Sequence, residues 1–262
     1  MGLKILQLGD GRWAQNHKRI LKGMGHEVKT LDVECKWWDE LKKAKKQHCD
    51  AVIVTTTTVN HWPIGKMCME MGIPVFIEKP ILLKRTQLEE LKKLAPKNLM
   101  MAGHQLVFMP EVYKLKDKVK YMNSERSGAI PRSEGSLFSL MVHDIAVAHY
   151  VTGLDEFKCI WAEGNRHEIK ATLRGKNGVY VDLHAVSVSK VRLRHTTFIT
   201  ENSIKHMNPD NWGRLDILTL ELTAFCGYVE QKKPITFNGA DQAIKVMQTV
   251  FTIEDELNSK KG

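Results

Sequence analysis

Short unbroken apolar runs alternate with amphipathic stretches over the first hundred residues. LKILQLG, AVIV and PVFIE are continuous runs, the pattern of parallel strands covered on both faces. Strands are expected at 3–9, 27–33, 51–57, 74–79 and 99–104. Helical periodicity falls between them, at 13–23, 37–48, 60–71 and 86–95. Thr58 or Asn60 is expected to cap the third helix and Gly72 to stop it, while Pro96 ends the fourth. Repeated β-α units with short connections imply a doubly wound parallel sheet.

The rhythm changes after Gln105. Helices are expected at 111–119 and 138–151, the second closed by Gly153. Strands follow at 157–163, 166–174, 178–188 and 190–200. They alternate, as in VYVDLHAVSV, and GKNG makes a turn between the second and third. Helices at 216–230 and 239–258 finish the chain. The expected fold class is therefore α/β, with a doubly wound parallel sheet in a domain at 1–105. A second, α+β domain at 106–262 carries an open, mostly antiparallel sheet.

Composition narrows the class. No run approaches the roughly 18 apolar residues of a membrane span. The N-terminus leads straight into a strand without a leader pattern, so a cytoplasmic location is expected. Five cysteines, none spaced Cys-x-x-Cys, suit a reducing compartment and argue against a disulfide scaffold or a metal site. The histidines His104, His184, His195 and His206 show no ligand spacing either. The net charge of +9 raises nucleic acid or an anionic membrane as partners. The lysines are dispersed, however, and the densest cluster, KKAKK at 42–46, falls on a surface helix. No recognition motif accompanies them. Neither nucleic acid nor membrane is expected, and the excess charge suits an anionic small molecule.

The first strand runs into Gly9-Asp10-Gly11-Arg12-Trp13-Ala14, a G-x-G-x-x-G/A pattern between strand and helix. Gly9 permits the tight turn, Gly11 lets a pyrophosphate approach the backbone, and Ala14 allows close helix–strand packing. The helix N-terminus offers N–H groups and partial positive charge to the phosphates. Asp32 ends the second strand, where a carboxylate binds ribose hydroxyls and repels a 2′-phosphate. NAD is favoured, with NADP as the alternative because Arg12 and Lys36 could accept that phosphate.

Ligands of open α/β sheets lie beyond the carboxyl ends of the strands. Thr55, Thr56, Thr57, Glu78 and Lys79 all fall there. A lysine in that position can hydrogen-bond a substrate hydroxyl and exchange its proton. His143 and Asp144 interrupt an otherwise apolar helical pattern, where charge needs a partner or a cleft. The histidine is suited to proton transfer near neutrality.

These segments together resemble the Gfo/Idh/MocA family of NAD(P)-dependent oxidoreductases almost end to end. GDGRWAQNHKRILKGMG is similar to a Gly-x-Gly-x-Trp-Gly-x-Asn-His opening. VTTTTVNHWPIGKMCMEMGIPVFIEKP is similar to the Ala-Thr-Pro…His…Glu-Lys-Pro stretch. LMMAGHQLVFMPEVYKLK matches a Gly-His…Pro segment, and NSERSGAIPRSEGSLFSLMVHDIA a branch ending Pro-His-Asp-Ile-Ser. The resemblance implies a Rossmann domain, then an α/β domain whose open sheet makes a homo-oligomer contact. It implies hydride transfer at a sugar or polyol carbon, with Lys79 catalytic and His143 beside the substrate. His61 joins the cofactor-binding residues, and His104, Ser139 and Asp144 join the substrate residues. The branch it most resembles oxidises C3 of UDP-N-acetyl sugars. Ser139, in place of an aspartate four residues before the histidine, fits that branch. Thr57, Val142 and Val107 depart from the family pattern. The chain also reads as shorter than typical members, around Lys120–Met122 and in the C-terminal sheet. A NAD-binding sensor or scaffold without turnover is the rival that these departures motivate.

Overall fold

The computed structural model describes residues 2–32, 37–128, 133–211 and 214–260. They form two compact units: Met1–Gly103 with Leu218–Ile244, and His104–Ile217 with Lys245–Gly262. No helix among the described residues is long and apolar enough to cross a membrane.

The first unit follows the β-α rhythm of the sequence. Its elements are β1 (Lys4–Leu8), α1 (Arg12–Gly23), β2 (Glu27–Leu31), α2 (Trp37–Lys46), β3 (Ala51–Val54), α3 (Thr58–Glu70), β4 (Val75–Glu78), α4 (Arg85–Leu94) and β5 (Met100–Gly103). The five strands lie in the order β2-β1-β3-β4-β5, all parallel. Every residue of β3, β4 and β5 is buried, which is why these segments read as solid apolar runs. Each fully buried side chain such as Ile53 or Phe76 contributes about 1.5–3 kcal/mol relative to exposure.

Two local expectations are corrected. Neither Thr58 nor Asn60 caps α3. Thr57 holds the N-cap position without a side-chain cap bond, and Asn60 Nδ2 instead donates to Thr57 Oγ1 at 3.2 Å. The unit also takes in a late segment. Ala102 N–H donates to the Asn238 carbonyl, Asn238 Nδ2 returns a bond to the Ala102 carbonyl, and Ile235 N–H donates to Asn98. Residues 235–239 thereby run along the β5 edge.

The second unit comprises α5 (Pro110–Tyr113), β6 (Val119–Ser127), α6 (Val142–Thr152), β7 (Lys158–Gly164), β8 (Glu168–Arg174), β9 (Tyr180–Val186), β10 (Arg194–Thr200) and β11 (Ile204–Met207). The chain then enters α7 (Arg214–Glu230) and α8 (Ala240–Ser259). The sheet order is β11-β10-β6-β9-β8-β7, antiparallel except where β6 and β9 run parallel. The helix expected at 111–119 is only the short α5, and Asp117 in the left-handed conformation (φ 59°) ends that region. Residues 120–122, where the sequence suggested a loss, lie in β6, an interior strand of the sheet. β8 and β9 alternate buried and outward residues, so one face is core and the other meets solvent.

Candidate functional site

In the first unit the carboxyl ends of β1, β3 and β4 share one edge of the parallel sheet. At β1 the chain turns through Gly9 with φ +106°. A Cβ there would meet the Thr55 carbonyl oxygen at 2.5 Å, so the turn and the end of β3 touch backbone to backbone. The Thr55 hydroxyl donates to the Leu8 carbonyl at 3.1 Å and fixes the same contact. Buried Gln7 holds the turn from below, its amide donating to the Gly9 and Ala14 carbonyls at 3.2 and 3.0 Å.

Nothing lies within 4 Å of a Cβ built on Gly11, the N-cap of α1, which carries no side-chain cap. The first-turn N–H groups of an α-helix have no intrahelical acceptor. Open space over a glycine and uncapped amides together fit the pyrophosphate of a dinucleotide. Ala14 is buried against the sheet, and Arg12 is exposed. Asp32 stands exposed one residue beyond β2. Lys36, the other expected phosphate partner, lies outside the described residues.

At the end of β4, Glu78 is buried while Lys79 is half-buried. The Glu78 carboxylate accepts from the Trp13 indole N–H at 2.8 Å and faces His17 Nε2 at 3.0 Å. Its second oxygen accepts the Lys79 backbone N–H at 3.2 Å. Burial alone would push this carboxyl up. The close His17 contact and its charge, the Trp13 bond and the Lys79 charge outweigh it and bring the pKa down to about 2. Trp13 and His17 are one turn apart on α1, so both reach the same group.

His61 is 3% exposed, with Nδ1 2.8 Å from the Pro80 carbonyl and Nε2 3.0 Å from the Thr56 carbonyl. The Thr56 hydroxyl donates to the Thr57 carbonyl at 3.2 Å. The side chains of Trp13, Thr55, His61 and Glu78, expected among the cofactor-binding residues, thus bind elements of their own unit and form the floor of the edge. Gly11, Arg12 and Asp32 are exposed at this edge, and half-buried Lys79 follows β4.

Sequence reasoning missed three residues of this floor: His17, Gln7 and Glu221. The i, i+4 spacing of Trp13 and His17 on the helix after the glycine turn was the available signal. Glu221 on α7 is fully buried, and neither carboxyl oxygen has a hydrogen-bond partner among the described residues. Burial, then the nearby charge of Glu78, pushes its pKa well above the ordinary range. On the same face, Phe225 packs edge-on against Phe76, which packs against His17.

In the second unit, a π-helical turn at Leu137–Met141 leads into α6. π-turns recur at functional sites because they offset the side chains that follow. Ser139 Oγ donates to the Gly135 carbonyl at 2.6 Å. His143 lies one turn on and is 9% exposed. Asp144 points into the core, and Arg126 of β6 grips it with two bonds, Nε at 2.8 Å and Nη2 at 2.6 Å. Ser124 adds a third at 3.0 Å. Burial opposes the guanidinium charge of Arg126, and Asp144 outweighs it, raising the Arg126 pKa. Asp144, expected at the substrate, has its carboxylate engaged within its own core. Arg126 and Ser124 went unnoticed because β6 did. His104 is buried at the start of this unit. Among the described residues no group of three or more His, Cys, Asp or Glu could hold a metal.

Residues 13–104 match the family described as oxidoreductase family, NAD-binding Rossmann fold (GFO_IDH_MocA). No curated protein matches the chain in sequence. Among solved structures, UDP-N-acetylglucosamine 3-dehydrogenase GnnA from Acidithiobacillus ferrooxidans is similar with TM-score 0.82 and 18% identity, covering 99% of each chain. A probable dehydrogenase from Thermotoga maritima gives 0.80 and 17%, over 98% of this chain and 97% of that one. Scyllo-inositol dehydrogenase from Lactobacillus casei, with bound NAD(H) and scyllo-inositol, gives 0.79 and 15%, over 99% and 98%. At these identities the likeness carries the fold.

Proposed function

We propose, for a chain whose residues 13–104 belong to the Gfo/Idh/MocA oxidoreductase family, that it transfers a hydride between a nicotinamide cofactor and the carbon of a sugar hydroxyl. One observation carries this reading. The open glycine turn of β1 and Lys79 of β4 stand on the same carboxyl edge of one parallel sheet, where ligands of such sheets lie.

When bound, the nicotinamide ring supplies the hydride acceptor or donor. The amides of Gly11 to Trp13 bind phosphate oxygens, and Asp32 takes the ribose hydroxyls, favouring NAD over NADP. Lys79 hydrogen-bonds the reacting hydroxyl and stabilises its developing negative charge. His143 or Lys79 takes the proton, and Asp144, fixed by Arg126, sets the turn of α6 that carries His143. For the substrate we favour a UDP-N-acetyl sugar oxidised at C3. Ser139 ahead of His143 supports it, as does the similarity to GnnA of A. ferrooxidans. The proposal extends to the exposed face of the second sheet, where Trp161, Tyr180 and Ile204 lie, as a contact between copies of the chain.

The test is absorbance at the reduced-nicotinamide band with NAD or NADP and a panel of UDP-N-acetyl sugars and inositols. Mass spectrometry of nucleotide co-purifying with the protein accompanies it. Lys79→Ala is expected to lower turnover ~100- to 10,000-fold while NADH still binds. Full turnover in that variant overturns the assignment of Lys79. Bound cofactor that no member of the panel reduces overturns the dehydrogenase reading.

A further inference from the structure

We propose that Lys79 is positioned by two buried histidines, His17 acting through Glu78 and His61 acting through Pro80. The proposal rests on the reading of Lys79 as the catalytic lysine.

Three consecutive residues at the end of β4 are each tied down at a different atom. Glu78 Oε1 accepts from the Trp13 indole of α1 and lies 3.0 Å from His17 Nε2 on the same helix. The Lys79 backbone N–H is tied to Glu78 Oε2. The Pro80 carbonyl is tied to His61 of α3. The lysine therefore sits between two histidine-anchored neighbours, one from the helix after β1 and one from the helix after β3.

The two anchors differ in kind. His17 is fully buried and faces a carboxylate, with its other nitrogen 3.2 Å from the Trp13 carbonyl. It joins the helix that carries the glycine turn to the strand end that carries the lysine. A shift of α1 therefore reaches Lys79 through Glu78. His61 faces two carbonyls, Pro80 and Thr56, and so spans the ends of β4 and β3. A neutral imidazole has one N–H to give, so it bonds one carbonyl and packs against the other. Burial holds the His61 pKa down, and the two carbonyls and Glu78 pull the other way.

The neighbouring strand is shaped for this arrangement. A Cβ at Gly103 would come within 3.1 Å of Glu78 Cα and 3.2 Å of Oε2, so a larger residue on β5 would press on the carboxylate. The charged and titratable groups around the cluster are Glu78, Lys79 and Glu221, the last on α7.

The experiment reads Lys79 directly in the full chain. Lysines are reductively methylated with 13C-formaldehyde, and the Lys79 signal is assigned by its loss in Lys79→Arg. Its chemical shift and pH titration are followed in His17→Phe, His61→Phe, His17→Gln and His61→Gln. In the wild type the signal is expected apart from those of surface lysines. The phenylalanine variants should move it towards them, and the glutamine variants, which restore an N–H donor, should return it. Turnover should fall about 10- to 100-fold in His17→Phe with NADH affinity within about twofold, and recover in His17→Gln. If phenylalanine prevents folding, the methionine variants, which also lack an N–H donor, are read by the same signal. An unchanged Lys79 shift and titration in folded variants lacking the donor at both positions overturns the proposal. A signal that responds to the histidines in a chain whose Lys79→Ala variant keeps full turnover supports the positioning and overturns only the catalytic reading of Lys79.

Discussion

Glu78 and Asp144 are both buried carboxylates, and each lies one residue from a candidate catalytic side chain, Lys79 or His143. Their surroundings differ. Asp144 is held by a guanidinium in a two-pronged grip, with Ser124 as a third donor. The guanidinium stays charged at every working pH. Glu78 is held by an imidazole and an indole, and it also feels the second buried acid, Glu221. The anchor of His143 is thus a fixed ion pair within one core. The anchor of Lys79 belongs to a titratable cluster that links two helices to a strand end.

Three substitutions sharpen or break this contrast. Asp144→Asn should have the largest effect. It leaves Arg126 buried without its counter-charge, and stability should fall about 3–5 kcal/mol by urea denaturation. Replacing both partners together, Arg126→Met with Asp144→Leu, should recover most of that loss. If the double variant is as weak as the single, Arg126 has another role.

Glu78→Gln comes next. The folded-state pKa of Glu78, about 2, lies below its ordinary 4.5. Its ionised form therefore contributes stability above pH 4.5, and that contribution disappears as the pH falls through 2. The variant should be about 3 kcal/mol less stable at pH 7. The gap should close on acidification, as the wild type loses the same interaction. A gap independent of pH would mean that shape, not charge, anchors Glu78.

Glu221→Met should act in the opposite direction and least. It removes a buried carboxyl without hydrogen-bond partners, for a gain of about 1–3 kcal/mol. The Glu221 pKa is raised, so the wild type is relatively most stable below pH 4.5 and loses ground as the pH climbs towards the shifted value. The advantage of the variant should grow over that rise. A loss of stability at pH 8 would show that Glu221 is held by an interaction the variant removes.

Legibility from sequence tracks how apolar the inward positions are. β1, β3, β4 and β5 stood out because both of their faces are covered. β6, an interior strand of its sheet, was missed. Its inward positions include Ser124 and Arg126, polar because they bind Asp144, so the expected apolar alternation was absent. β11 was missed because three of its four residues are exposed. At the candidate site the glycine turn, Asp32, Lys79 and His143 were legible as residue types at strand or helix positions. His17, Gln7, Arg126 and Glu221 were not: apart from the i, i+4 spacing of His17 to Trp13, nothing local marks a polar side chain as buried.

By itself, the sequence determined the parallel βα domain, its glycine turn and the presence of a lysine at a strand end. Those features arise from periodicity and backbone freedom over a few residues. Only the tertiary structure decided that Glu78 and Asp144 turn inward as anchors. It also decided that β6 completes the second sheet and that residues 235–239 return to the edge of the first. The physical reason is range. A buried carboxylate survives only with donors close by, and here the side-chain donors come from positions 18 to 65 residues away in the chain.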